Sequence, residues 1–346
     1  MKRFLYLVMP GLFFLFLTLA CKKDKTPDDN PPDISADHGV FIVNEGNYLW
    51  SNASVSYYDF VSGKYYEDIF DQVNNRPLGD VAQSLTVING KGYIVVNNSG
   101  KVEIVDMKTF TSVGVINGLL SPRYLLPVTD SKAYVSDLYS NSVSVVNLST
   151  NAKTTSIPCK GSTEEMLVIG NEVFVTNTRT DKIYIINSNS DVVTDSIQVG
   201  FASNSLALDK NGKLWVFCAG DATHSINASL YRVNPATHLS EQSFILPDAL
   251  DIWDKMRMNA AKDTLYYMDK GIYQMHVSSS SLPTSPLITQ GSRVFHGLKI
   301  NPVDNNIFVS DAIDYIQKGK VYYYSSIGVL KGTINTGIIP VDFYFY

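Results

Sequence analysis

Cysteine is nearly absent from the 346 residues, with only Cys21, Cys159 and Cys218, and the five histidines are scattered at 38, 224, 238, 276 and 296. That excludes a disulfide-stapled fold and leaves no metal-ligand spacing, so no metal is expected. Basic residues are outnumbered, 28 against 33 acidic ones, and the net charge of −5 becomes −7 without Lys2 and Arg3. Nucleic acid is therefore not an expected partner. HExxH, GxSxG, P-loop, GxGxxG and CxxC patterns are all missing, so neither catalytic residues nor a cofactor are expected. Beyond residue 38 no run sustains a 3.6-residue apolar period, which excludes a helical fold. What the chain does have is 45% hydrophobic residues, including 21 Tyr and 16 Phe, enough for a large core.

The first residues read as an address. Lys2 and Arg3 precede an apolar stretch from Phe4 to Ala20, interrupted by Pro10-Gly11 and ending in Thr18-Leu19-Ala20-Cys21. Residues 1–20 are expected to be a secretory signal of the bacterial lipoprotein kind, with Cys21 lipidated. Residues 22–37, KKDKTPDDNPPDISAD, hold almost nothing apolar and read as a flexible tether. The expected location is the outer membrane, on either leaflet, with the membrane touched through the lipid anchor only.

Residues 39–346 repeat one unit: an aromatic-containing strand, a polar loop, an alternating strand ending in Asn or Asp, a turn and a further strand. The clearest copies begin at Lys91 (KGYIVVNNSGKVEIVDMKTF), Lys132 and Glu172, with weaker ones at Gly39, Lys213, Thr264 and Asn306. The equivalent aromatics Phe41, Tyr93, Tyr134, Phe174, Trp215, Tyr266 and Phe308 are spaced 52, 41, 40, 41, 51 and 42 residues apart. A period near 40 with short strands predicts an all-β, seven-bladed β-propeller. The tail IPVDFYFY, from Ile339, resembles the strand that precedes every other unit and is expected to pair with the N-terminal segment, closing the ring. Cys159 and Cys218 fall in different repeats and read as small buried hydrophobes.

On a propeller, the loops joining the second strand of a blade to the third, and one blade to the next, share a face around the central channel. Here they carry Tyr48, Trp50, Arg123, Tyr124, Tyr139, Arg179, Trp253, Arg293, His296, Asp311 and Tyr315, with amide-rich stretches around Asn97, Asn98, Asn141, Asn177 and Asn204. Loop aromatics beside arginines suit the binding of a flat polar ligand. A hydrolase or lactonase using Glu165, Arg123 and His296 is the alternative from another class, and an envelope scaffold for protein or glycan is the third. Asp137 and Asp311 stand at strand ends, where carboxylates commonly cap turns.

The segments VFIVNEGNY, NASVSYYD, LGDVAQSL, VVNNSGKVEIVD, SPRYLLPV, AYVSDLYSNSVSVVN and SDAIDYIQKGKVYYY resemble the YncE-like, YVTN-repeat propellers of bacterial surface lipoproteins, and most closely the BtuG-like proteins among them. The resemblance spans residues 39–346. It implies capture of cobalamin, as ligand rather than cofactor, and its delivery to a TonB-dependent outer-membrane transporter. By position it implies a ligand face of Trp50 with its NEGNY loop, Arg123-Tyr124, Tyr139 and Asp311 to Tyr315. The chain departs from that pattern in STEEM, at Ser162 to Met166, and in its VDFYFY end.

Overall fold

The computed structural model describes residues 38–346; the signal, Cys21 and the tether lie outside the described residues. Seven four-stranded antiparallel sheets follow one another along the chain. Blades 2 to 7 occupy residues 82–116, 122–158, 163–198, 203–245, 256–289 and 295–338. Blade 1 combines Pro340–Phe345 with strands at Gly39–Asn44, Ser54–Asp59 and Tyr65–Tyr66. Phe41 stands opposite Tyr344 and Ile42 opposite Phe343, so the two ends of the described chain share one sheet. The innermost strand Pro340–Phe345 packs between Phe295–Ile300 and Ala82–Ile88, which brings the last blade against the first.

The second strand of a blade is its most buried and the outermost its most exposed. Lys91–Val96 is buried at every residue but its first, whereas the outer strand Ala152–Pro158 is exposed at all but Ile157. The repeated aromatics are buried in the seams between blades: Trp215 packs on Phe244 with its indole N–H on Asp209 (3.0 Å), and Phe41 stacks on Phe110 at 5.4 Å. The Asn or Asp that ends the third strand caps the following turn. Asp106, Asn147 and Asn187 each accept the backbone N–H groups two and three residues ahead, at 2.8–3.1 Å. Cys159 and Cys218 are free and buried, with burial pushing both thiols up to about 12.

A short helix, Ile69–Asn74, is the element that the period-2 pattern does not predict. It follows the two-residue strand Tyr65–Tyr66 and sinks Ile69 and Phe70 into the seam between blades 1 and 2. It accounts for part of the long 52-residue spacing. Arg76 beyond it pairs with Glu103 at 2.7 Å and lies over the Phe70 ring.

The ring depends on its last strand. Deleting residues 340–346 exposes the edge of Gly39–Asn44 and removes Phe343 from the core; calorimetry should show a large fall in Tm and a broadened transition. Phe343→Ala alone should cost about 3–5 kcal/mol. An unchanged melting profile for the deletion would contradict closure by this pairing.

Candidate functional site

Inner strands begin at the channel mouth, and most begin with a fault in pairing. Register slips between Ala82 and Ser84, Pro122 and Leu125, Thr163 and Met166, Ser203 and Ser205, and Phe295 and Leu298. In blade 1 the slip passes over Val341. The skipped residues are Gln83, Arg123-Tyr124, Glu164-Glu165, Asn204 and His296-Gly297. In blade 6 the short strand Met256–Met258 starts immediately after Lys255. A bulge bends its strand and re-aims a side chain. Repeated around an axis, the bulges give a ring of Gln83, Arg123, Glu164, Asn204, Lys255 and His296, each no more than 4% exposed.

The ring is only partly satisfied by its own members. Arg123 Nε donates to Glu164 Oε1 at 2.8 Å and its Nη1 donates to Gln83 Oε1. Gln83 Nε2, Arg123 Nη2, Glu164 Oε2, Lys255 Nζ and His296 Nδ1 are buried with no hydrogen-bond partner among the described residues. Burying such groups costs about 1–3 kcal/mol each, and natural folds seldom concentrate them without a use. Asn204 spends its amide differently, donating to the carbonyls of Ile252 (2.9 Å) and Asp254 (2.8 Å). It thereby fixes the loop that carries Trp253. The Trp253 ring lies 5.2 Å from the Arg123 guanidinium and 6.0 Å from His296, and His296 meets Tyr315 edge-on at 5.8 Å.

The expected site residues divide between throat, rim and scaffold. Arg123, Trp253, His296 and Tyr315 converge. Tyr124 is turned lower, beneath Lys255, whose Nζ is 5.7 Å from its ring, and burial raises its phenol well above the ordinary value. Tyr48 and Trp50 stand on the rim, Trp50 76% exposed. Their loop is braced by Leu49 N–H on Asp80 (2.8 Å) and by Asn47 Nδ2 on the Tyr315 carbonyl (2.6 Å). Asn98 serves the same brace, its amide donating to Asp80 at 2.6 Å. Tyr139 and Arg179 form a second rim pair, 5.9 Å apart and exposed.

Two expected ligand residues belong to the scaffold. Arg293 gives Nε to the Gln290 carbonyl, Nη2 to the Thr289 carbonyl and Nη1 to the Tyr324 hydroxyl, so its guanidinium is consumed near its own loop. Asp311 is buried and accepts from the N–H groups of Val294 and Ile313 at 2.8 and 2.9 Å, as a turn cap does. Ser162, where the sequence departs from its resemblance, is likewise buried, with its hydroxyl on the Leu138 carbonyl at 2.6 Å.

Glu165 does not join Arg123 and His296. It pairs with Arg257 at 2.9 Å and accepts the Leu206 N–H, while the preceding Glu164 takes Arg123. Glu165, Arg257, Lys299 and Asp342, with Tyr124 and Ser84, line a cavity of ≈ 330 Å³, and Lys299 pairs with Asp342 at 3.0 Å. On the His296 side the imidazole Nε2 is 3.4 Å from Glu45, and burial, reinforced by the Asp251 and Asp269 charges, raises Asp254 to about 7. Among the described residues no group of three or more His, Cys, Asp or Glu is arranged to hold a metal ion.

Gln83, Glu164 and Lys255 join the ring without being among the expected ligand residues. The signal lay in the repeats: aligned on the inner strands, LGDVAQSL, SPRYLL, STEEML, ASNSLA, WDKMRM and VFHGLK put a polar residue at one position.

Comparison with known proteins places the fold. The sequence model of a family described as a domain of unknown function, DUF5074, matches residues 38–346. No curated protein matches the chain. Among solved structures, a quinonprotein alcohol dehydrogenase-like protein from Bacteroides thetaiotaomicron is similar with a TM-score of 0.74 at 16% identity, over 89% of this chain and 78% of that one. Hydrazine synthase from Kuenenia stuttgartiensis matches with a TM-score of 0.55 at 12% identity, over 72% and 85% of the chains. Dihydro-heme d1 dehydrogenase NirN matches with 0.59 at 8%, over 90% and 76%. At such identities the likeness concerns the propeller alone.

Asp254 gives the site a stability signature. Its folded value, about 7 against an ordinary 3.8, means that the folded state keeps the proton which the unfolded chain releases. Its favourable contribution is therefore complete at low pH and is lost as pH rises from about 4 through 7. Asp254→Asn cannot ionise, so its Tm should improve relative to wild type between about pH 4 and pH 8; a constant difference would refute the raised value.

Proposed function

The chain belongs to the DUF5074 family, and from the geometry of its own channel mouth we propose that it is a non-catalytic capture protein for a large, flat, polar small molecule. The observation that carries this is the set of buried, unpartnered polar atoms on Gln83, Arg123, Glu164, Lys255 and His296 beneath Trp253. A ligand that caps the mouth would supply the missing partners and stack on Trp253 and Tyr315. Trp50, Tyr48 and the Tyr139–Arg179 pair extend the contact area outward, as a ligand too broad for a closed pocket requires. The bland use of these aromatics, packing beneath their own loops, suits Trp50 poorly at 76% exposure.

Cobalamin is the specific candidate, supported by the sequence resemblance, and with it come the lipid anchor at Cys21, the outer-membrane location and hand-over to a TonB-dependent transporter. Amide-bearing rim residues such as Asn98 and Asn141, both exposed, fit a ligand fringed with hydrogen-bonding groups at about 0.5–1.5 kcal/mol net each. A hydrolytic reading draws on one observation, the raised Asp254 close to His296 and Glu45, since a carboxyl poised near neutrality is a candidate acid or base.

Calorimetric titration with cyanocobalamin distinguishes these readings. Capture predicts saturable sub-micromolar binding, weakened about 10- to 100-fold by Trp253→Ala, with the ligand recovered intact. No heat with cyanocobalamin would remove that ligand. For the hydrolytic reading the corresponding measurement is turnover of a lactone panel, abolished by Asp254→Asn; absence of turnover would remove it.

A further inference from the structure

We propose that the throat beneath Trp253 is an oxyanion subsite, taking a carboxylate or phosphate group of the ligand on Gln83 Nε2, Arg123 Nη2 and Lys255 Nζ. This rests on the reading of the mouth as a capture site and adds the chemical class of what enters it.

The first argument is the imbalance of donors and acceptors. Of the five unpartnered ring atoms, an amide nitrogen, a guanidinium nitrogen and an ammonium nitrogen can only donate; Glu164 Oε2 can only accept, and His296 Nδ1 does either according to tautomer. One lysine hydrogen would suffice for Glu164 Oε2. The remaining hydrogens call for a group made of acceptors, and an oxyanion offers several lone pairs in the volume of one small group. A ligand hydroxyl or amine would leave most of these donors unmet.

The second argument is charge. Arg123 is held on two sides, by Glu164 at 2.8 Å and by Gln83, which orients the guanidinium and leaves Nη2 unused. Lys255 is 4% exposed, and its ammonium lies 5.7 Å from the Tyr124 ring with no hydrogen-bond partner among the described residues. Burial lowers its pKa, partly offset by the Glu164 and Glu165 charges. An ammonium kept this way costs the empty protein stability, and an arriving anion would return part of that cost. Lower in the channel the charges cancel in pairs, Glu165 with Arg257 and Asp342 with Lys299. The unspent positive charge is therefore at the ring. The carboxyls Glu45 and Asp254 lie near His296, and the Glu45 charge also reaches Arg123, which Glu164 already neutralises; the ammonium of Lys255, with no hydrogen-bonded carboxylate among the described residues, is therefore the charge an anion would meet.

The third argument is the roof. Asn204 fixes the backbone on both sides of Trp253 through the Ile252 and Asp254 carbonyls, and the indole lies over Arg123. A flat group stacked there would carry a substituent directly into the ring.

The test uses Trp fluorescence with three probes of similar shape: benzoate, phenyl phosphate and neutral benzamide. Wild type should show saturable responses to one or both anions, at least about tenfold tighter than to benzamide; whichever anion is preferred identifies the carboxylate or the phosphate source. Lys255→Met should abolish that preference and raise the Tm of the free protein, because it removes a buried unpartnered charge; Lys255→Gln is the second variant should the first fail to fold. Equal binding of benzoate, phenyl phosphate and benzamide, no saturable anion response, or a preference that survives loss of Lys255 would overturn the proposal. Cobalamin binding without anion preference would leave the capture reading standing and remove this one; anion preference without cobalamin binding would support this one and remove cobalamin as the ligand.

Discussion

Seven sheets packed around one axis each present the open edge of an innermost strand to the channel, and everything at the mouth follows from how those edges are treated. A strand edge with free N–H and C=O groups is a liability. Here the inner strands of blades 1 to 5 and 7 break register where they begin, and blade 6 shortens its inner strand to Met256–Met258. The bulges end regular pairing and turn Gln83, Arg123, Glu164, Asn204 and His296 toward a common ring. No single blade contains the site. It exists because the ring closes, which ties the chemistry at the mouth to the pairing of Pro340–Phe345 with Gly39–Asn44, between the strands that carry His296 and Gln83.

Stability and function pull in opposite directions at this ring. The seams between blades are apolar and dense, with Phe41, Tyr93, Tyr134, Phe174, Trp215, Tyr266 and Phe308 buried at the same position of successive repeats. That burial holds the blades rigidly enough to carry polar atoms with no partner at the axis. Contrast the bottom-face turns, where Asp106, Asn147 and Asn187 saturate the nearby N–H groups. The same residue types at the top face split between caps, as at Asp137 and Asp311, and groups left with capacity to spare, as at Glu164.

The architecture was legible because a propeller repeats its physics: an aromatic for each seam and an Asn or Asp for each turn give a period that the eye can count. Even the irregular spacings of 52 and 51 carried information, since the second marks the insertion that delivers Trp253 to the mouth. The throat was less legible. Alternation along a strand tells which residue faces a seam only while pairing is regular, and a bulge resets that phase where the ring residues sit. Hence Glu165 is grouped with Arg123 on the sequence alone, although it pairs with Arg257 and it is Glu164 that pairs with Arg123. Arg293 looked like a rim residue for a related reason, because nothing in its neighbours along the chain announces the Tyr324 hydroxyl that holds it.

The central claim is that the ring beneath Trp253 is where this protein holds a small molecule. Native mass spectrometry of the purified protein after exposure to a bacterial small-molecule extract, with Trp253→Ala run in parallel, tests it most directly. The account predicts a discrete added mass on the wild-type protein that is absent or strongly depleted on the variant. The same mass retained equally by both proteins, or none retained by either, would contradict it.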